Sequence, residues 1–133
     1  MRRHRSVIST FCLETQEIMK DIQSKVDIER LIDSFYEQVL SDELLAPFFT
    51  HMDFDRHKPR MVDFWSFVLL DDAGYTTDVT QQHIRMPLAK EHFDQWLFLF
   101  NSTVNSLFIG EKAEAAKQRA FTVGWTIQSK LNS

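Results

Sequence analysis

Apolar and polar positions alternate along most of this chain with the period of an α-helix. Val26, Ile28, Leu31, Ile32, Phe35, Tyr36, Val39 and Leu40 recur at steps of three and four, so the pattern predicts a helix over about 27–41 with Asp27 as its N-cap. The stretch DELLAPFF, from Asp42 onward, reads as a short helical turn in which Pro47 ends the helix or bends the chain. HMDFDRHKPR is polar and turn-like, and Asp55 can cap a new helix with Pro59 in its first turn, where a missing N–H costs little. That helix carries Met61, Phe64, Trp65, Val68 and Leu69 on one face and stops at DDAGY.

Tyr75 to Leu88 shows no period and reads as a loop with one helical turn around Gln81 to Ile84. Phe93, Trp96, Leu97, Phe100, Val104, Leu107 and Phe108 then mark a long helix, with Gly110 placed to cap its C-terminus. Ala113, Ala116, Ala120, Val123, Ile127 and Leu131 mark another, to which Phe121 and Trp125 add bulk. No strict alternation competes, so the expected class is all-α, without repeats, with a domain over residues 24–133 preceded by an extension over 1–23. Phe11, Leu13, Ile18, Met19 and Ile22 give that extension a partial apolar stripe.

Composition narrows the choice of function. The 133 residues are 44% hydrophobic, with only 3 Gly and 3 Pro, which suits one ordered domain. Twelve Phe and three Trp are more flat apolar surface than a small bundle needs, so part of it is available to line a pocket. A net charge of -4 argues against a phosphate-binding surface and hence against nucleic acid. The single Cys12 allows no internal disulfide and agrees with a reducing, cytoplasmic setting. Val7 to Leu13 is too short and too interrupted for a secretory signal, and nothing approaches the roughly 20 apolar residues that span a bilayer. A protein free of membranes is therefore expected.

Five histidines, His4, His51, His57, His83 and His92, raise the question of a metal. None forms the i, i+4 pair of a helical zinc site. A helix of about 13 residues after His57 covers roughly 20 Å, and as many residues can retrace it to His83. The two imidazoles could thus face each other across a slot walled by Phe35, Tyr36, Phe49, Phe64, Trp65, Phe93 and Trp96. Such a slot suits a flat apolar ligand with a central metal, namely haem. A solvated His57 and a His83 bonded to a loop carbonyl explain the same spacing without any ligand. Tyr36 and Trp96 are equally readable as core aromatics whose polar atoms meet backbone.

Three segments in order, DIERLIDSFYEQVLSDELLAPFF, HKPRMVDFWSFVLL and HIRMPLAKEHFDQWLFLFNSTV, resemble the group III branch of the truncated (2-on-2) globins over about residues 26–131. The lack of Gly-Gly pairs separates the chain from the other two branches. The resemblance implies a two-over-two helical sandwich around haem b (iron protoporphyrin IX), with His83 as the proximal iron ligand. It makes Tyr36 the distal tyrosine, Trp96 the distal-pocket tryptophan and His57 the distal histidine, which could also act as a gate. Phe49 packs on the haem face, Met61 lies one turn after His57, and Trp65 belongs to the same haem-side motif. Arg60 and Arg85 are candidates to pair with the haem propionates through paired N–H bonds. His92, at the start of its helix, reads as a frame residue.

The expected function is binding of dioxygen, NO and CO at ferrous iron by a cytoplasmic monomer. Distal hydrogen bonds would slow release, and an unidentified reductase would support turnover of NO or peroxide. Against it stands a haemless helical domain for partner binding or sensing. A dedicated peroxidase is the third reading, although no distal histidine and arginine pair is evident. The segment before residue 24 is longer than the branch needs.

Overall fold

The computed structural model describes residues 19–72 and 88–131, and these form four α-helices, one 3-10 turn and no strand. Helix α1, Lys25–Leu40, buries Ile28, Leu31, Ile32, Phe35, Tyr36 and Val39 along one stripe. Val26 and Leu40, expected on that stripe, fall outside it and are exposed, because they lie two residues before its start and one past its end. The helix begins earlier than expected. Ser24 is the N-cap, and Asp27 acts from inside the first turn, its carboxylate accepting the N–H groups of Gln23 and Ser24 at 2.8 and 3.3 Å.

After the 3-10 turn Ala46–Phe48, which runs through Pro47 rather than ending at it, helix α2 spans Phe54–Leu70. Its N-cap is Asp53, whose side chain accepts the N–H of Asp55, so Asp55 is a first-turn residue and Pro59 falls in the second turn. Asp71, at φ 59°, takes the left-handed conformation that closes the helix. The expected loop and helical turn at Gln81 to Ile84 lie outside the described residues.

Helix α3, Lys90–Leu107, and helix α4, Glu111–Leu131, pack against each other, with Ala113, Ala116 and Ala120 fully buried on α4. Small side chains at steps of three and four allow close approach. Helices α1 and α2 form the other layer; α1 rests on α3, and α2 on α4. Phe121 and Trp125, expected to add bulk, are instead 58% and 61% exposed. No described helix is long and apolar enough to cross a membrane.

The corner before α4 differs from expectation. Helix α3 ends at Leu107 with Phe108 as its cap, and Gly110 belongs to the start of α4. Asp21 reaches across the fold to this corner. Its carboxylate accepts the N–H groups of Lys112 and Ala113, each at 2.9 Å, and so caps α4 from a distant segment. Gly110 has φ +142°, and a β-carbon there would lie 2.5 Å from the Asp21 Cγ. Only glycine meets both demands. Ile22, fully buried beside Asp21, ties the chain before residue 24 into the core.

Candidate functional site

The apolar stripes of the four helices converge on one narrow cleft with an enclosed volume of about 40 Å³. Ile32, Phe35 and Tyr36 enter from α1, and Met61, Phe64 and Trp65 from α2. Helix α3 contributes His92, Phe93, Trp96 and Phe100, and α4 contributes Val123, Gly124 and Ile127. Leu45, Phe49 and Leu88 close the remaining side.

Aromatic packing gives this cleft firm walls. Phe100 is stacked on Trp65 at 5.0 Å and on Trp96 at 5.9 Å, with ring planes 21° and 16° apart. Phe35 meets Tyr36, Trp96 and Phe100 edge-on. Each such pair is worth about 0.5–1.5 kcal/mol beyond its buried area. Gly124 faces the Trp96 indole, and a β-carbon there would meet the ring at 3.6 Å, an ordinary packing distance.

Polar atoms are few in this setting. The Tyr36 hydroxyl is bonded to the Nε2 of His57 at 2.6 Å, and the two rings meet edge-on. Burial pushes the Tyr36 phenol well above its usual range, so the group stays protonated and keeps its donor. The expected alternative, a Tyr36 hydroxyl bonded to backbone, is not what is found. Trp96 lines the cleft half-buried, and among the described residues its indole N–H, a donor only, makes no hydrogen bond.

The other candidates separate clearly. Phe49, Met61 and Trp65 line the cleft, as do Tyr36 and Trp96. His57 does not line it but stands behind Tyr36, half-buried near the start of α2. Arg60 is exposed on α2 and outside the lining. His83 and Arg85 lie outside the described residues. His92 has a frame role: its Nδ1 accepts the N–H of the N-cap residue Ala89 at 2.7 Å, the return bond of a capping box, while its ring edge touches Phe48 and the cleft.

Sequence reasoning missed the α4 wall. Val123 and Ile127 looked like ordinary core positions, and the lone signal for Gly124 was a glycine inside a helical pattern. Phe100 read as a helix-face residue, and nothing in its spacing foretold that two tryptophans would share it.

Comparison with known proteins agrees with this geometry. Residues 18–124 match the family model of bacterial-like globins. A group 3 truncated hemoglobin of Campylobacter jejuni is 29% identical over 111 residues, which span 78% of this chain and 87% of the relative. The crystal structure of group III truncated hemoglobin from Campylobacter jejuni superposes with a TM-score of 0.78 at 26% identity, covering 86% of this chain and 95% of that one. A truncated hemoglobin from Tetrahymena pyriformis shares the fold, with a TM-score of 0.64 at 24% identity over 78% and 87% of the two chains. The four helices thus form a truncated globin fold, and the chain belongs to the bacterial-like globins, a family of haem-based binders of diatomic ligands, with its similarity running to the group 3 truncated branch.

Proposed function

We propose that the four-helix cleft binds haem b, with His83 as iron ligand, and that Tyr36 and Trp96 hold dioxygen, NO or CO by donating hydrogen bonds to it. The observation that carries this reading is a cleft walled by stacked and edge-on aromatic rings whose polar atoms include a buried phenol and an indole N–H without a partner among the described residues. Those residues fit the group: flat apolar walls suit a porphyrin, and both donors suit a ligand that gathers negative charge. Phe49, Met61 and Trp65 would pack on the haem, and Arg60 is the cation assigned to a propionate. When bound, haem supplies ferrous iron at which a diatomic ligand coordinates.

The chain's own part is retention. Apolar side chains keep water from competing for the donors, so each hydrogen bond acts at low local dielectric. Release then requires breaking two of them, which favours slow escape. Slow escape suits turnover of NO or peroxide, fed by a reductase, better than bulk delivery.

The test is the absorption spectrum of the purified chain supplied with haem. An intense Soret band that collapses in His83→Ala and survives in His92→Ala is expected. A chain that stays colourless, or a band indifferent to His83→Ala, would leave the haemless helical domain as the function.

A further inference from the structure

We propose that the outer face of the α3–α4 pair, around Phe98, Phe121 and Trp125, is where two copies of this chain associate as a two-fold dimer, where the sequence alone suggested a monomer. The dimer does not depend on haem, because none of these three residues lines the cleft. They are 62%, 58% and 61% exposed. Lys117 Nζ donates to Asn105 Oδ1 at 2.7 Å, which fixes where α3 and α4 meet on this side. Phe98 lies seven residues before Asn105, two turns along the same side of α3, and Phe121 and Trp125 lie four and eight residues after Lys117 on α4. The helices run antiparallel across the short corner at 108–110, so at about 1.5 Å per residue Phe98 comes level with the gap between Phe121 and Trp125. The three rings form one patch.

Charge is missing from this face. Residues 95–110 and 120–129 contain no Asp, Glu, Lys, Arg or His, in a chain that is 26% charged. A helix face that stays solvated normally carries charged side chains, whereas the core of a protein interface is depleted of them and enriched in Phe and Trp. Around the aromatic rings stand short uncharged groups such as Ser102, Thr122 and Ser129, all exposed.

The occupant these features select is a second copy. A charged protein would find no acid or base here to pair with, and a lipid surface is gripped by Lys and Arg beside the apolar residues, of which the two runs hold none. Two copies, by contrast, meet across a two-fold axis without opposing like charges. The area also suffices. With about three-fifths of their surface open, three aromatic residues of about 150–250 Å² each leave roughly 350 Å², as large as the main apolar patch on many monomers. Pairing buries that surface twice and supplies roughly 700 Å² of apolar core to an interface of the usual 1,200–2,000 Å².

Sedimentation velocity on the purified chain tests this. The parent should run at about twice 15.7 kDa. Phe121→Lys combined with Trp125→Lys should weaken association at least about thirtyfold, the effect of losing one central aromatic anchor. That double variant should run at 15.7 kDa with unchanged far-UV circular dichroism, and so should Phe121→Glu combined with Trp125→Glu. Mixing the two double variants should restore the dimer, because a basic face then meets an acidic one. Val26→Lys, at a comparably exposed apolar position on α1, should leave the dimer intact.

A parent that stays at 15.7 kDa even at about 1 mM would overturn the proposal and leave the face to a different protein. A dimer that survives both double variants, a mixture of them that stays monomeric, or a dimer lost on Val26→Lys would overturn it as well.

Discussion

Two polar groups, the half-buried Asp21 carboxylate at the corner before α4 and the buried Tyr36 hydroxyl at the edge of the cleft, meet their hydrogen-bonding needs in opposite ways. Asp21 accepts three backbone N–H groups, those of Ile22, Lys112 and Ala113, each at 2.9 Å. Among the described residues Tyr36 has one hydrogen-bond partner, the His57 side chain, and otherwise faces aromatic rings and the cleft. Backbone partners cannot exchange without unfolding, so Asp21 holds one arrangement and stabilises the fold. An imidazole can donate or accept, so the direction of the Tyr36 bond is not fixed by main chain. Saturation by main chain marks Asp21 as a structural group, whereas the bond of Tyr36 leaves room for the role proposed for it.

The largest expected effect breaks the structural half. Gly110→Ala places a β-carbon against the Asp21 carboxyl on a backbone of φ +142°, a conformation that costs a non-glycine residue of order 1–3 kcal/mol before the clash is counted. Thermal unfolding should show a loss of at least about 2 kcal/mol, a strain cost of the same order. Visible spectra of the loaded protein should not change. A shifted spectrum at unchanged stability would mean that the corner and the cleft are one system.

A smaller effect follows from removing the cap itself. Asp21→Ala should cost about 1–2 kcal/mol, as lost N-caps do. Burial by itself would raise the Asp21 pKa, but the N–H groups of Lys112, Ala113 and Ile22 and the Lys112 charge outweigh it and hold the carboxyl below its ordinary value of 3.8. A carboxyl lowered by folding contributes fully above its unfolded pKa, and the contribution fades as pH falls through the folded value. Unfolding free energy of the parent should therefore drop more steeply than that of Asp21→Ala below pH of about 4. Parallel acid limbs would contradict this reading of the carboxyl.

The two regions were not equally legible in the sequence. Period alone located all four helices to within a few residues at most ends, and it put Tyr36, Met61, Trp65 and Trp96 on inward faces, because a buried stripe is a local property of spacing. The Asp21 corner was hidden because it depends on a contact between residues far apart in the chain. Gly110 after an apolar run looked like the end of α3, yet its conformation answers to Asp21 and to α4. Val26 misled in a similar way, since apolarity in the first turn says little about which side of the helix a neighbour will cover. His57 was marked by family resemblance, but its bond to Tyr36 needed the relative placement of α1 and α2. The α4 wall of Val123, Gly124 and Ile127 carries no polar atom in its side chains and so offered no chemical cue.

The most direct measurement is the dioxygen dissociation rate of the haem-loaded chain in three variants side by side. Tyr36→Phe and Trp96→Phe should each speed release by about five- to tenfold, the worth of one hydrogen bond of roughly 1 kcal/mol, while Asp21→Ala leaves it unchanged. Rates for Tyr36→Phe and Trp96→Phe equal to that of the parent would contradict the account, because the cleft's two donors would then not reach its ligand.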